Sequence, residues 1–449
     1  MELGPVGPTE GSPSAAAKSV DDSAPDVELA SATSVTRSTT AHLAPRDDLP
    51  QTLTAIQRRW RLIHFVTLCY TFFLAGWNDS STGPLLPTIQ RHYGIGFAIV
   101  SLLFVTNVIG YLIGAVANVY LTDKHGFGKV RSTSQLTGYA ISSSGGPFAL
   151  MCVGYGFTGF GLALEITQGN SYVGSLKEGA STKLGIMHAS YGLGALSAPL
   201  IATQFAVSVH WSFHYLVSAS LAVVNIIALC AVFRFKPIEA IREESGEGPS
   251  EQNTTIAESK YKQIFKIPAV HYLAFWTLIY VGVEVTLGGW IVTFIQQKRD
   301  GGASAGYISS GFFGGLMAGR ILLMWLNQKI GEHRVIFLYA VLAIGLEVTI
   351  WAIPSLIQNA IAVSFIGLLL GPMYPILVHH ASLILPKWLY AGAIGWVSGI
   401  GQAGSAVLPF LTGVLASRFG ISSLQPFIVS MMSTLIVLWA LVPRVRRID

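Results

Sequence analysis

Charge is what this chain has least of. Only 11% of its 449 residues are Asp, Glu, Lys or Arg, against roughly 25% in an average soluble domain, and a soluble protein of this length could not cover its surface with so few. Cysteine is also scarce. Cys69, Cys152 and Cys230 each lie inside an apolar run, none at a disulfide or metal spacing from another, so no disulfide frame and no metal site is expected. The adjacent His379 and His380 likewise lack further ligands. No Walker loop, GxSxG elbow, HExxH helix or CxxC pair occurs. The sequence therefore offers no cofactor site and no nucleophile with a base at informative spacing, and an enzyme is not expected. The net charge of +5 comes without a basic groove or aromatic interleaving, which excludes a nucleic-acid partner. The amino terminus lacks a basic start followed by a short apolar run, so no cleavable signal peptide is expected and the first span directs insertion.

What the chain has in quantity is apolar length. Hydrophobic residues make up 51% of it, and they come in runs near the roughly 20 residues that cross a hydrocarbon core, such as Leu216 to Phe233, or Val335 to Ile353 broken only by Glu347. Lipid must solvate such surfaces. The expected fold class is an all-α membrane protein, and the cations count its spans, because Lys and Arg in short loops stay cytoplasmic. They cluster at Arg58/Arg59/Arg61, Lys124/Lys129/Arg131, Lys177/Lys183, Arg234 through Lys266, Lys329/Arg334, Lys387 and Arg444/Arg446/Arg447. Each interval is long enough for a two-helix hairpin, which predicts twelve transmembrane helices with both termini cytoplasmic. The predicted outside loops hold only Arg91, Lys298, Arg299 and Arg418.

Composition also sets the divisions. Residues 1–57, rich in Ser, Thr, Ala, Pro and Asp, predict a disordered cytoplasmic tail. A first six-helix half follows at 58–236, a charged cytoplasmic central loop at 237–266, a second half at 267–443, and a short cytoplasmic end at 444–449. The halves are alike at a nearly constant offset. Gly76-Trp77 falls on Gly289-Trp290, Gly110 and Gly114 on Gly315 and Gly319, Lys124 and Gly126 on Lys329 and Gly331, Gly161 on Gly367, and Gly185, Gly194 and Pro199 on Gly395, Gly404 and Pro409. Two parallel six-helix repeats around a central site are the arrangement that alternating access requires.

The loop Asp123-Lys124-His125-Gly126-Phe127-Gly128-Lys129 resembles the G-x-x-x-D-R-x-G-R-R/K loop of the major facilitator superfamily, with Val119 in place of the leading Gly and Phe127-Gly128 in place of a basic pair. The run Gly159 to Asn170, His188 to Ala195 with Pro199, Tyr280 to Glu284 and Gly288-Gly289-Trp290 are similar to the fungal bypass-of-stop-codon group. That group is related to fucose-permease-like and sodium-dependent-glucose-transporter-like carriers, which usually carry Gln-Asp where this chain has Glu165-Ile166. The resemblance spans about residues 58–447. It implies a solute carrier and makes Asp123, Lys124 and Gly126 a conformational latch.

Polar groups inside spans are the candidate site, because a charge at mid-membrane costs about 2.5–3.5 kcal/mol on insertion scales and needs a reason to persist. Glu165 and Gln168 share a face of span 4, expected to line the cavity. His188 and Tyr191 lie three apart on span 5, where His188 is either a proton relay or an interhelical histidine. Span 7 places Trp276, Tyr280 and Glu284 on one stripe, an aromatic wall ending in a carboxylate. Arg320, after Gly315 and Gly319 toward the cytoplasmic end of span 8, could snorkel, pair with Glu284 or bind a helix end, and is expected as a latch. Glu347, near the outer end of a peripheral span 9, is given no role in the site. Asn78 and Asp79 are expected to close span 1 beside Gly83 and Pro84, and Asn78, Asn107, Tyr374 and Gln402 are further positions for ligand or interhelical hydrogen bonds.

The expected activity is secondary active transport of a small, sugar-like or other organic solute by alternating access, coupled to protons. The protein is expected to act as a monomer in the plasma or vacuolar membrane. Export of an apolar metabolite or drug and a nontransporting receptor or scaffold are the alternatives.

Overall fold

The computed structural model describes residues 54–125, 131–174, 176, 179–234, 236, 238–246 and 262–444. The first 53 residues of the expected tail, most of the central loop and the end from 445 lie outside this range.

The first helix, α1 (Ala55–Tyr93), opens with a capping box: Thr54 Oγ1 accepts from the Gln57 amide at 3.2 Å, and the Gln57 side chain accepts from the Thr54 amide at 3.0 Å. It does not stop after Asp79. Pro84 and Pro87 both lie inside α1, which runs on to a left-handed cap at Gly94 (φ 60°). The expected end of span 1 is thus corrected by more than three turns, and Asn78 and Asp79 become interior residues. Prolines freeing backbone carbonyls are tolerated inside a packed membrane helix where neighbouring helices and hydroxyls satisfy those groups. The surrounding stretch is rich in such hydroxyls, Ser80 and Ser81 donating back to the carbonyls of Gly76 and Trp77.

After a short helix at Phe97–Val100 come α2 (Leu102–His125), α3 (Arg131–Ser143), α4 (Phe148–Gly174), α5 (Ala180–Ala206) and α6 (His214–Phe233). A short helix at Ile238–Glu244, held by an ion pair between Lys236 and Glu244, packs back on this half through Ile241, which is buried with Leu68, Phe72 and Phe233. The second half comprises α7 (Pro268–Lys298), α8 (Tyr307–Leu322), α9 (Glu332–Ala352), α10 (Leu356–Leu370, continuing as Met373–Ile384), α11 (Lys387–Phe419) and α12 (Leu424–Leu441). Among the described residues, nine of the crossings are long and apolar enough to span a membrane on length and composition alone. A tenth is α8 taken with Met324–Ile330, to which it is bent by 54°. The other two are α1, whose interior is unusually polar, and α3, which begins directly after the undescribed residues 126–130. An even number of crossings returns the chain to the face on which it began, so Thr54 and Arg444 share one side, the near face.

Lipid tails give apolar helices no reason to associate with one another, so close backbone contact must supply it. The glycine repeat does this. A Cβ on Gly110 would collide with the Gly156 carbonyl, and one on Gly159 with the Asn107 carbonyl, joining α2 to α4. The second half repeats the pattern, with Gly315 against the Ser364 carbonyl and Gly367 against the Phe312 carbonyl, joining α8 to α10. The structural counterpart of Gly367 is therefore Gly159, not the Gly161 of the sequence alignment. Gly76 and Gly194 lock α1 to α5 against the carbonyls of Tyr191 and Phe73, and Gly404 locks α11 to α7 against that of Leu278.

The halves meet over the far face and at mid-depth. Gly83 abuts the Gly288 carbonyl, Gly289 abuts Phe104, and the Trp290 ring lies 6.0 Å from Phe97 and 6.4 Å from Phe104. The Ala98 amide donates to Ser417 at 2.9 Å, and Gln204 bonds Tyr307. Deeper in, Gly192 and Gly314 take Met317 and Leu196 from the opposite half. Toward the near face, Gly185 on α5 and Gly395 and Gly399 on α11 have nothing within 4 Å of an added Cβ. The cleft between the halves is closed at the far face and open at the near face.

These glycines are separable by experiment. Gly194→Val is expected to lower stability by about 1–3 kcal/mol through overpacking, whereas Gly185→Val, on the same helix but facing open space, should leave the melting temperature of the purified protein within a degree or so of wild type.

Candidate functional site

The locked pair α1 and α5 brings Asp79 beside Tyr191. The Tyr191 hydroxyl donates to Asp79 Oδ2 at 2.7 Å and the Asn78 side-chain amide donates to Oδ1 at 3.2 Å, so both carboxyl oxygens hold neutral donors. Asn78 is itself held by the Tyr139 hydroxyl of α3 at 3.1 Å. Asp79, Asn78 and Tyr191 are all partly exposed, Asn78 and Asp79 standing between residues of α1 that are buried.

Across the cleft, Glu284 of α7 is partly exposed and has Arg320 as its nearest cation, with the Tyr280 hydroxyl beside it and Asp79 within electrostatic reach. Arg320 also donates from Nε to the Gly371 carbonyl at 3.4 Å, which caps α10 where that helix breaks. The expected position of Arg320 toward the end of its span is corrected: the helical path continues through Met324–Ile330, leaving Arg320 at mid-depth beside Glu284, His188 and Tyr191. Tyr374 of α10 bonds Ser398 of α11 at 3.0 Å and stacks at 6.2 Å on Tyr280. Tyr111 of α2 approaches both Asp79 and Tyr374. The result is two carboxylates from opposite halves, one guanidinium and a ring of phenols around a cleft that opens to the near face.

Several expected site residues lie elsewhere. Glu165 does not line the cleft: it is fully buried, accepting from Asn225 at 3.0 Å, which in turn accepts from Thr71 at 2.9 Å, in a network tying α4, α6 and α1 together. Gln168 is also buried, donating to Asn118 at 2.7 Å. Gly110 and Gly159 let α2 and α4 pack closely, and this face of α4 is turned inward. Trp276 is fully buried between Tyr280 (5.3 Å) and Trp439 (5.5 Å), and Tyr280, 1% exposed, donates to the Leu370 carbonyl at 3.1 Å. The aromatic stripe thus supports Tyr374 from behind, and only Glu284 at its end reaches the cleft. His188 bonds Asn170 at 3.2 Å and meets the edge of Phe72. Asn107 donates to the Tyr155 carbonyl at 3.3 Å, and Gln402 to Ser405 on its own helix at 3.4 Å. Of the loop latch, Asp123 and Lys124 end α2 with side chains outside the described set, and Gly126 lies outside the described residues.

Asp79 and Tyr111 are the residues that sequence reasoning passed over. Reading Pro84 as a helix end put Asp79 at a boundary, where a carboxylate needs no special reason; the hydroxyl-rich run Ser80-Ser81-Thr82 was the available sign that the helix continued.

The model of the Major Facilitator Superfamily matches residues 68–301. The chain is 26% identical over 410 residues to bypass of stop codon protein 6 of Saccharomyces cerevisiae, covering 84% of this chain and 82% of that one. It is 22% identical over 352 residues to the glucose/mannose transporter GlcP of Bacillus subtilis, covering 76% and 85%. The crystal structure of a D-xylose-proton symporter superposes with a TM-score of 0.64 at 11% identity, covering 86% of this chain and 99% of that one.

The two buried-or-lining assignments predict opposite phenotypes. Glu165→Ala should lower stability by about 1–2 kcal/mol by stranding Asn225, whereas Tyr191→Phe, which keeps the ring and removes only the donor to Asp79, should melt like wild type yet lose transport.

Proposed function

Because the chain belongs to the Major Facilitator Superfamily, we propose that it is a proton-coupled carrier of a neutral, sugar-like polyhydroxylated solute, working by alternating access between its two halves. The observation that carries this reading is the meeting of Asp79 with Glu284 and Arg320 across the cleft. Their chemistry supports a polyol over an organic acid. Asp79 and Glu284 supply acceptors, while Arg320, Tyr191 and Tyr374 supply donors, and the Tyr374 ring backed by Tyr280 and Trp276 offers an apolar face of the kind that a pyranose presents in return. A carboxylate ligand would meet two negative groups and one positive one.

Asp79 is the group proposed to carry the proton. Its bonded partners are a phenol and an amide, so it can exchange between acid and carboxylate without breaking an ion pair, whereas Glu284 shares Arg320. With the near face open, solute and proton reach the cleft from that side. Closing the near face over a loaded cleft would part Gly83 from Gly288 and Phe104 from Gly289, and the proton gradient sets the direction of net movement. In this reading the near face is cytoplasmic and the membrane is the plasma or vacuolar membrane. An exporter of apolar metabolites would have little use for two charged carboxyls in its cleft.

The test is flux of labelled sugars, organic acids and apolar metabolites in proteoliposomes with an imposed pH gradient. Sugar accumulation should rise as the side of entry is made more acidic. Asp79→Asn should abolish accumulation while retaining sugar-for-sugar exchange, and Glu284→Gln should reduce both by about tenfold or more. Flux indifferent to the gradient would remove proton coupling, a preference for acids would remove the polyol reading, and no flux by well-folded protein would favour a receptor or scaffold.

A further inference from the structure

Between α1, α3, α4 and α6, apart from the cleft, lies a cavity of about 10 Å³ lined by hydroxyls, among them those of Tyr139, Ser142, Tyr155 and Tyr215, together with Asn78. This is room for about one water, which needs two to four polar partners to reside in a protein interior.

Two observations show that its wall is incomplete without one. The Ser142 hydroxyl is 97% buried and has no hydrogen-bond partner. Its neighbours Ser143 and Ser144 donate back to the carbonyls of Ala140 and Ile141 in the ordinary way of hydroxyls on membrane helices; Ser142 does not, and it borders the cavity instead. Thr82, Tyr155 and Tyr215 form a chain of three hydroxyls joined by two hydrogen bonds, of 3.2 Å and 2.9 Å. Three O–H groups sharing two bonds leave one proton for a further acceptor. Tyr139, on the same wall, spends its proton on Asn78 Oδ1 and has oxygen lone pairs left to accept.

We propose that this cavity holds one bound water, and that through Tyr139 and Asn78 this water positions the hydrogen bonds of Asp79. The route is short: the water fixes the Tyr139 hydroxyl, Tyr139 fixes the Asn78 amide with its nitrogen toward the carboxyl, and Asn78 donates to Asp79 Oδ1. No covalent step is involved. Asp79 is faced by Tyr191 from α5, Tyr111 from α2, Tyr139 from α3 and Glu284 from α7, the last with Arg320 from α8, and Tyr139 is also within reach of Glu165 on α4. Of these the Tyr139 contact is the one that the water adjusts. Ser142, Tyr139 and Asn78 are positioning residues, and the functional half of the proposal rests on Asp79 carrying the proton.

X-ray radiolytic labelling of the full-length protein in detergent tests the water itself, because hydroxyl radicals form from bound water and mark the side chains next to it. Tyr139, Tyr155 or Tyr215 should label well above Tyr339, which is also buried, and Ser142→Ala should bring the signal down toward it. Labelling no greater than that of Tyr339 overturns the water site. The second readout is the pH profile of uptake. Ser142→Ala and Tyr139→Phe should move its midpoint by about half a pH unit or more with expression and melting unchanged, and Ser142→Thr, which keeps the hydroxyl, should restore it. Unmoved midpoints in both variants, on a wild-type profile that does depend on pH, overturn the positioning role. A wild-type profile flat in pH overturns that role too, by removing the proton reading beneath it, and leaves the labelling to decide the water.

Discussion

The architecture depends on how closely α1 and α5 can approach. Gly76 lies under the Tyr191 carbonyl and Gly194 under the Phe73 carbonyl, so the two backbones touch with no side chain between them. Both contacts fall within about a turn of the residues that matter: Asp79 follows Gly76 by three positions, and Tyr191 precedes Gly194 by three. The 2.7 Å hydrogen bond from the Tyr191 hydroxyl to Asp79 forms across this close approach. Helix packing and site geometry are therefore one constraint. The second half uses the same device at α7 and α11, which leaves Glu284, in the middle of α7, facing the centre.

Inside the halves, buried polar groups act as joints between helices. Glu165 with Asn225 and Thr71, Gln168 with Asn118, and Trp77 with Ser218 each join helices that apolar contact alone would let slide. They also explain why charge in a span is an unreliable guide to a binding site. A carboxylate can persist in the membrane either because it serves a ligand or because a neighbour satisfies it, and Glu165, fully buried with Asn225 donating to it, shows that the second reason is enough. Glu347 fits neither case as plainly, since it is fully buried and neither of its carboxyl oxygens has a hydrogen-bond partner.

Much of this was legible in the sequence and some was not, for physical reasons. The scarcity of charge and the length of the apolar runs establish a helical membrane protein, and the glycine repeat brought its two-fold plan into view, because close backbone approach tolerates few substitutes. The place of Glu284 inside a span was readable as well. Helix rotation was not readable, so Trp276, Tyr280 and Glu165 were put on a cavity wall when they face inward. Nor was the length of α1, since proline marks a helix end in water and only a kink or nothing at all in a bundle whose neighbours take up the freed carbonyls. Arg320 was misplaced for a related reason: a bend of 54° hid how far its helix continued.

The seal over the far face is made of glycine edges, phenyl and indole rings, and two neutral hydrogen bonds. Dispersion and apolar contact of this kind carry no net charge, so neither ionic strength nor the acidity of the far compartment acts on the seal directly.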